Sequence, residues 1–196
     1  MKIIGITGPT GAGKSTVSKG FAKLGYTTID ADELYHSMLI PPSDCLDAIR
    51  REFGDDIFTS DGLLDRRALA ALVFADKNTL ERLNATVLPI VIDRMRKIIR
   101  ELDEKGEKVL IVDAPTLIES GFHKECDFVL SISAPEEVRI ARIQARDGID
   151  EQRATARVRG QKGDDFYRAA SDAFIYADGN AEQLFAKTLA AIGMDL

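Results

Sequence analysis

Apolar residues along this chain follow two different patterns, which divide it into strands and helices. Short continuous runs rich in β-branched residues predict buried parallel strands over 2–7, 26–29, 108–113, 128–133 and 173–176. Between these runs, apolar residues recur every three to four positions, as in helices that pack on such strands. We therefore predict an α/β fold, with a doubly wound, five-stranded parallel sheet whose strands alternate with helices.

The stretch between the second and third predicted strands, residues 34–106, shows helical patterns throughout. Ser43 is placed to cap an early helix of this stretch. Further helices are predicted over 66–75 and 78–87, followed by a longer helix that Pro89 starts or bends. Because an all-helical block of this length is far longer than an ordinary crossover, it predicts an inserted substrate-binding region.

The loop after the first strand matches the phosphate-binding pattern G-x-x-x-x-G-K-[ST] of P-loop NTPases. Glycines let the backbone curl so that successive N–H groups face one anion, and the next helix adds the positive end of its dipole. In this pattern Lys14 contacts the β- and γ-phosphates, and the Ser15 hydroxyl joins the coordination shell of a bridging Mg²⁺. The residues expected to bind ATP are Gly8, Pro9, Thr10, Gly11, Ala12, Gly13, Lys14, Ser15 and Thr16.

Acidic residues follow the second and third predicted strands, at the sheet edge where the phosphate loop is expected. Asp32 is a candidate to orient Mg²⁺ or to accept a proton from an acceptor hydroxyl, and Asp113 is a candidate to hold a metal-bound water. Asp30 either shares the role of Asp32 or caps a helix with Glu33 as its capping-box partner. The predicted metal ligands are thus Ser15, Asp32 and Asp113.

Three arginines recur at spacings of three and four after the fourth strand, so Arg139, Arg142 and Arg146 project on one side of a helix. Arg142 and Arg146 are candidates for a lid over the nucleotide phosphates, because a guanidinium binds two phosphate oxygens at once. Alternatively, Glu136 and Glu137 pair with these arginines in an ordinary salt-bridged surface.

Composition argues against several other functions. The 26 Lys and Arg against 32 Asp and Glu give a net charge of −6, which disfavours a nucleic-acid partner or a membrane-coating role. A basic stripe of Arg94, Lys97 and Arg100 either meets a substrate phosphate or forms a solvated face. Cys45 and Cys126 lack metal-ligand spacing, so we expect buried thiols in a reducing compartment. With no evident leader or membrane span, we expect a cytoplasmic protein, monomeric or weakly homo-oligomeric.

The chain resembles the dephospho-CoA kinase family almost from end to end. The segments that carry the resemblance are GPTGAGKST at 8–16, IDADEL at 29–34, FGDDIFTSDGLLDRRALAALVFAD at 53–76, DAPTLIESG at 113–121 and ARIQARDGI at 141–149. The phosphate loop is shared by many unrelated NTPases, whereas the block over 53–76 is much more specific to this family.

The resemblance implies transfer of the ATP γ-phosphoryl group to the ribose 3′-hydroxyl of dephospho-CoA, the last step of CoA synthesis. By this likeness Asp32 is the catalytic acid, Lys14 and Ser15 hold phosphates and Mg²⁺, and Arg142 and Arg146 fall on the lid. We accordingly expect a single P-loop kinase domain over 1–196. Its parts are a core (1–33, 107–136 and 169–196), a helical substrate-binding insertion (34–106) and a helical lid (137–168).

The chain departs from the family pattern at three positions. Leu88 replaces the histidine of a His-Pro pair, Asp164 replaces a basic residue three positions after the lid glutamine, and Ala177 replaces an asparagine near the nucleotide base. Another small-molecule kinase that acts on a nucleoside or nucleotide, and an ATP-binding homologue without transfer activity, therefore stay open. A regulatory GTPase would need an N-K-x-D motif, which the sequence lacks.

Overall fold

The chain divides into two units, and a five-stranded parallel sheet forms in the first of them. The computed structural model describes residues 1–194. The first unit consists of Met1–Asp30 and Gly106–Leu196, and the second is the continuous segment Ala31–Lys105. The strands are β1 (Lys2–Thr7), β2 (Thr27–Asp30), β3 (Val109–Asp113), β4 (Phe128–Ser133) and β5 (Ala173–Tyr176).

The strand order in the sheet is β2-β3-β1-β4-β5, so the strand before the phosphate loop is central. Ile6 of β1 pairs with Asp113 of β3, which in turn pairs with Asp30 of β2. Because parallel strands end at one edge of a sheet, the two aspartates and the start of the loop share that edge. The predicted α/β fold is confirmed, and the observed β2 begins and ends one residue later than predicted.

Nine α-helices connect or follow these strands within residues 1–194. They are α1 (Lys14–Lys23), α2 (Ala31–Ser37), α3 (Asp44–Phe53), α4 (Arg66–Ala75), α5 (Lys77–Glu104), α6 (Glu136–Asp147), α7 (Glu151–Arg159), α8 (Asp164–Ala169) and α9 (Ala181–Ile192). Within this described part of the chain, no helix has both the length and the apolar character needed to cross a membrane.

The core of the first unit lies between the sheet and two helices. Ile4, Ile6, Leu130 and Ile132 from the central strands pack with Val17 and Phe21 of α1 and with Leu184 and Leu189 of α9. The ring of Phe21 makes edge contacts with Tyr26 at 5.8 Å and with Phe185 at 5.2 Å between ring centroids. This packing fixes α1, and therefore the end of the phosphate loop, on the sheet.

The second unit is helical apart from turns and an isolated bridge between Phe58 and Leu64. It has its own core, built mainly by α3, α4 and α5. Ser43 caps α3 as predicted, since its side chain accepts hydrogen bonds from the N–H groups of Cys45 and Leu46.

The predicted break between a helix over 78–87 and a longer one is wrong, because α5 runs unbroken through Pro89. Four buried apolar residues, spaced by four positions, lie on both sides of the proline. The free energy gained by burying them outweighs the loss of one helical hydrogen bond. The four residues are Leu83, Val87, Val91 and Met95.

Both cysteines are free thiols, as the sequence predicts. Cys45 is buried and Cys126 is half-buried. Burial raises the pKa of Cys45 to about 11 and that of Cys126 to about 12, so both remain protonated at neutral pH.

Replacing Phe21 by alanine is expected to destabilise the first unit strongly. Phe21 is fully buried and joins α1 to the sheet and α9, so Phe21→Ala should lower the free energy of unfolding by about 3–5 kcal/mol. Leu24→Ala is the matched control, because Leu24 follows α1 directly and is 47% exposed. Urea unfolding of both variants measures the difference, and equal losses would contradict this assignment of the core.

Candidate active site

The phosphate loop connects β1 to α1 and lies very close to two other elements. A Cβ on Gly8 would lie 2.0 Å from the backbone oxygen of Ile132 in β4. Gly11 has a φ of +78°, and a Cβ there would lie 2.8 Å from the backbone oxygen of Arg139 in α6. Side chains are therefore excluded at these two positions by the packing of the loop itself.

Lys14, the first residue of α1, turns back onto its own loop. Its Nζ donates hydrogen bonds to the backbone oxygens of Gly8 at 2.7 Å and Pro9 at 3.2 Å. Ser15 and Thr16 follow in the first turn of α1, and the Thr16 N–H donates to the backbone oxygen of Gly13 at 3.1 Å. A positive charge and a helix N-terminus thus meet at one point, which is an arrangement suited to an anion.

Arginines of α6 contact the loop from one side. Arg142 Nη1 donates to the backbone oxygens of Gly11 at 3.1 Å and Ala12 at 3.2 Å. Arg146 Nη2 lies 3.5 Å from the Thr10 hydroxyl, and its guanidinium also binds the Asp147 carboxylate at 2.7 and 3.0 Å. This ion pair lowers the pKa of Asp147 below its ordinary value.

The alternative partners of these arginines do not account for their positions. Glu136 forms an ion pair at 3.0 Å with Arg159 of α7. The third arginine of the row, Arg139, also contacts the loop and donates from Nε to the backbone oxygen of Thr10 at 3.0 Å. All three arginines therefore reach the phosphate loop.

Asp113, the last residue of β3, is 5% exposed and faces α1. Its Oδ2 accepts a hydrogen bond of 2.6 Å from the Ser18 hydroxyl. Since Ser18 follows Ser15 by three residues, both lie on the same side of α1. The carboxylate of Asp113 thus lies along the side of α1 that carries Ser15.

Asp32 is the second residue of α2 and belongs to the second unit. It follows Asp30, the residue of β2 that pairs with Asp113, by two positions. The nine loop residues, Arg142, Arg146 and Asp113 thus lie in the first unit, whereas Asp32 lies in the helical unit.

The three departures from the family pattern have different surroundings. Leu88 is half-buried in the middle of α5. The carboxylate of Asp164 accepts a hydrogen bond of 2.6 Å from the Ser133 hydroxyl. Ala177 is buried, and its N–H donates to the backbone oxygen of Ser133 at 2.7 Å. Asp164 and Ala177 are therefore both hydrogen-bonded to Ser133, the last residue of β4.

A cavity of about 600 Å³ opens within the second unit. Ile90, Asp93, Arg94 and Lys97 of α5 line it, so two members of the predicted basic stripe border a cavity. At 100° per residue, this face of α5 points roughly opposite to Leu88. The cavity and Leu88 therefore do not share one site on α5.

Sequence reasoning gave no function to Ser18 or Gln161, and it left Arg139 open between a lid role and a salt-bridged surface. Ser18 binds Asp113, Arg139 binds Thr10, and Gln161 Oε1 accepts from the Thr10 N–H at 3.0 Å. The spacing from Arg139 to Arg142 indicates that Arg139 lies on the same side of α6 as Arg142. Gln161 is far from the loop in sequence, and its contact depends on the tertiary fold.

A loop of this kind after the central strand of a parallel sheet, with arginines from a later helix bound to its carbonyls, defines a P-loop kinase. A profile of the family described as dephospho-CoA kinase matches residues 2–183. This chain belongs to the dephospho-CoA kinase family.

Relatives agree with this assignment over nearly the whole chain. A dephospho-CoA kinase of Thermobifida fusca is 34% identical over 184 residues, which are 94% of this chain and 91% of the relative. A dephospho-CoA kinase of Symbiobacterium thermophilum is 35% identical over 191 residues, covering 97% of this chain and 80% of the relative.

Solved structures share the fold. The crystal structure of TT1252 from Thermus thermophilus superposes with a TM-score of 0.79 at 32% identity, covering 98% of this chain and 96% of that one. A dephospho-CoA kinase from Campylobacter jejuni has a TM-score of 0.70 at 24% identity, with 98% and 96% covered. A shikimate kinase from Acinetobacter baumannii has a TM-score of 0.57 at 19% identity and shares the fold over 98% of this chain and 93% of its own.

A methyl group on Gly11 is expected to disrupt nucleotide binding. Gly11→Ala adds a clash with the α6 backbone to an unfavourable φ, so the Kd for ATP should rise about tenfold or more. Titration calorimetry with ATP measures this change.

Gly25→Ala is the matched control. Gly25 also has a left-handed φ of +86°, but nothing lies within 4 Å of the added Cβ. It should lose about 1–2 kcal/mol of stability and keep its ATP affinity. Unchanged ATP binding by the Gly11 variant would contradict the importance of the contact with α6.

Proposed function

We propose that this chain transfers the γ-phosphoryl group of ATP to the ribose 3′-hydroxyl of dephospho-CoA, giving CoA and ADP. The observation that carries the proposal is the phosphate loop bound by Lys14 and the α6 arginines, in a chain that matches the dephospho-CoA kinase family over residues 2–183. The chemistry is phosphoryl transfer, in which positioning and charge neutralisation supply most of the acceleration.

The loop supplies groups for the triphosphate. The N–H groups of Gly11 and Gly13 donate to no partner within residues 1–194, so they are available to phosphate oxygens. Lys14 would exchange the carbonyls of Gly8 and Pro9 for the β- and γ-phosphates. The remaining loop residues assigned to ATP are Gly8, Pro9, Thr10, Ala12, Ser15 and Thr16.

Arg142 and Arg146 are the arginines assigned to the transferring phosphate. Each guanidinium already lies beside the loop, and its planar fork matches two phosphate oxygens. Arg142 is assigned the catalytic role because its contacts are with the loop itself, whereas Arg146 shares its guanidinium with Asp147. Losing such a charge-stabilising arginine costs on the order of 10³-fold in turnover.

Mg²⁺ is a hard cation that keeps several waters and takes one or two carboxylates besides substrate phosphates. Within residues 1–194, no three acidic, His or Cys side chains group into a metal site by themselves. Ser15, Asp32 and Asp113 are the residues proposed to hold it. When bound, Mg²⁺ would supply positive charge that offsets the negative charge of the triphosphate.

Asp32 is proposed as the general base for the acceptor. The 3′-oxygen of the ribose forms a bond to the γ-phosphorus, the bond to the β–γ bridging oxygen breaks, and the hydroxyl proton passes to the Asp32 carboxylate. In its favour, Asp32 follows the carboxyl end of β2, an edge where ligands of parallel sheets bind. The helical insertion 34–106 is proposed to hold the acceptor, and residues 137–168 to form the lid.

A substrate panel tests the proposed reaction. The protein is incubated with ATP, Mg²⁺ and dephospho-CoA or one of several nucleosides and nucleotides, and products are identified by mass. We expect one phosphoryl group on dephospho-CoA and an equal amount of ADP. Modification of a nucleoside or nucleotide in place of dephospho-CoA would favour the rival kinase, and ATP binding without any transfer would favour an inactive homologue.

Asp32→Asn tests the proposed base. The substitution keeps size and hydrogen-bonding capacity but removes proton affinity, so kcat should fall about 10²-fold or more while the Kd for ATP changes little. Glu33→Gln removes the neighbouring exposed carboxylate and serves as the control with ordinary turnover. Ordinary turnover of the Asp32 variant would remove Asp32 from this role.

A further inference from the structure

Arg139 is a buried cation with two specific hydrogen bonds. The residue is only 7% exposed, although it lies on the same side of α6 as Arg142 and Arg146. Its Nε donates to the backbone oxygen of Thr10 at 3.0 Å, and its Nη2 donates to Gln161 Oε1 at 2.8 Å. The two bonds leave from different nitrogens of one planar group, so together they fix its orientation.

Thr10 is held on both sides by the segment that includes α6 and the turn after α7. Gln161 Oε1 accepts from the Thr10 N–H at 3.0 Å, and the Thr10 carbonyl accepts from Arg139. One amide oxygen therefore binds both the loop and the arginine that binds the loop. The two peptide groups that flank Thr10 are fixed at their orientation just before Gly11.

Asp164 balances the charge of Arg139. Desolvation lowers the pKa of the guanidinium, and the carboxylate of Asp164 is the first of the charges that act against this effect. Glu136 and the phenol groups of Tyr167 and Tyr176 add smaller contributions in the same direction. Asp164 is itself held by the Ser133 hydroxyl at the end of β4. The carboxylate that compensates the buried cation is thus itself held by a residue of the sheet.

We propose that Arg139, Gln161 and Asp164 form a positioning group that sets the phosphate loop in its ATP-binding conformation. Arg139 and Gln161 hold Thr10, and Asp164 keeps Arg139 compensated in its buried place. None of the three needs to touch ATP, because they act through the orientation of the loop N–H groups. This inference rests on the proposed binding of ATP to the loop, but it does not depend on the identity of the acceptor.

Three variants separate positioning from a general effect of charge. Gln161→Leu removes the shared acceptor without changing charge, and Arg139→Lys keeps the charge but loses the fork. Asp164→Asn removes a negative charge, so simple electrostatics would strengthen the binding of anionic ATP. The positioning group requires the opposite. Gln161→Leu and Arg139→Lys should each raise the Kd for ATP about tenfold, as expected for loss of a hydrogen bond to a charged group, and Asp164→Asn should change it in the same direction.

The measurement is ATP titration calorimetry without acceptor, with thermal unfolding to confirm that each variant is folded. Arg153→Lys and Asp165→Asn are matched controls at exposed positions nearby and should bind ATP as the wild-type chain does. The double variant of Gln161→Leu with Arg139→Lys should bind no more weakly than the weaker single variant, because both changes release the same residue. The KM for the acceptor at saturating ATP should stay constant.

Folded variants that bind ATP as tightly as the wild-type chain would overturn the positioning group. Tighter ATP binding by Asp164→Asn would also overturn it, and so would a Kd of the double variant that rises by the product of the two single effects. These outcomes would leave the proposed kinase function intact. Absence of ATP binding by the wild-type chain would instead overturn both proposals. Since Gln161 is exposed, Gln161→Leu retains the test if a substitution at the buried Arg139 prevents folding.

Discussion

Close packing of the phosphate loop against the backbone of α6 is the contact on which the rest of the site depends. It leaves no room for a side chain at Gly11, and it brings Arg142 within hydrogen-bond distance of the Gly11 and Ala12 carbonyls. A loop whose carbonyls are bound on one side keeps N–H groups for an anion on the other. The glycines that read as a phosphate signature therefore also serve the packing of the protein itself.

Burial of Arg139 shows how the fold manages the cost of that contact. An isolated buried charge is costly unless other groups compensate it. Here Thr10 and Gln161 accept hydrogen bonds from Arg139, and the negative charge of Asp164 acts against the desolvation. In the sequence, Asp164 looks like the loss of a basic family residue. In the structure its carboxylate accepts a hydrogen bond from the Ser133 hydroxyl, and its negative charge favours the buried Arg139 cation. The departure at Asp164 is therefore consistent with a working loop.

Much of the fold could be predicted because buried parallel strands have a strong local signal. The run Phe128–Ser133 was predicted to the residue, and Val109–Asp113 to within one residue. The predicted break near Pro89 failed because proline is a local signal, whereas burial of the apolar stripe of α5 on both sides of it is a tertiary effect. For the same reason, the motif identified the loop residues, but the bond between Gln161 and Thr10 joins residues too distant in sequence for any spacing rule.

The clustering of cations around the loop also affects how fast anions arrive. The whole chain carries a net charge of −6, yet Lys14, Arg139, Arg142 and Arg146 meet at the N-terminus of α1. These cations and the helix N-terminus favour an anion at close range, whereas the net charge of the chain repels it at long range. Because the Debye length is about 8 Å at physiological ionic strength, salt removes the repulsion between distant charges before it weakens the attraction at close contact. Nucleotide encounter is thereby directed to one place on an otherwise acidic protein.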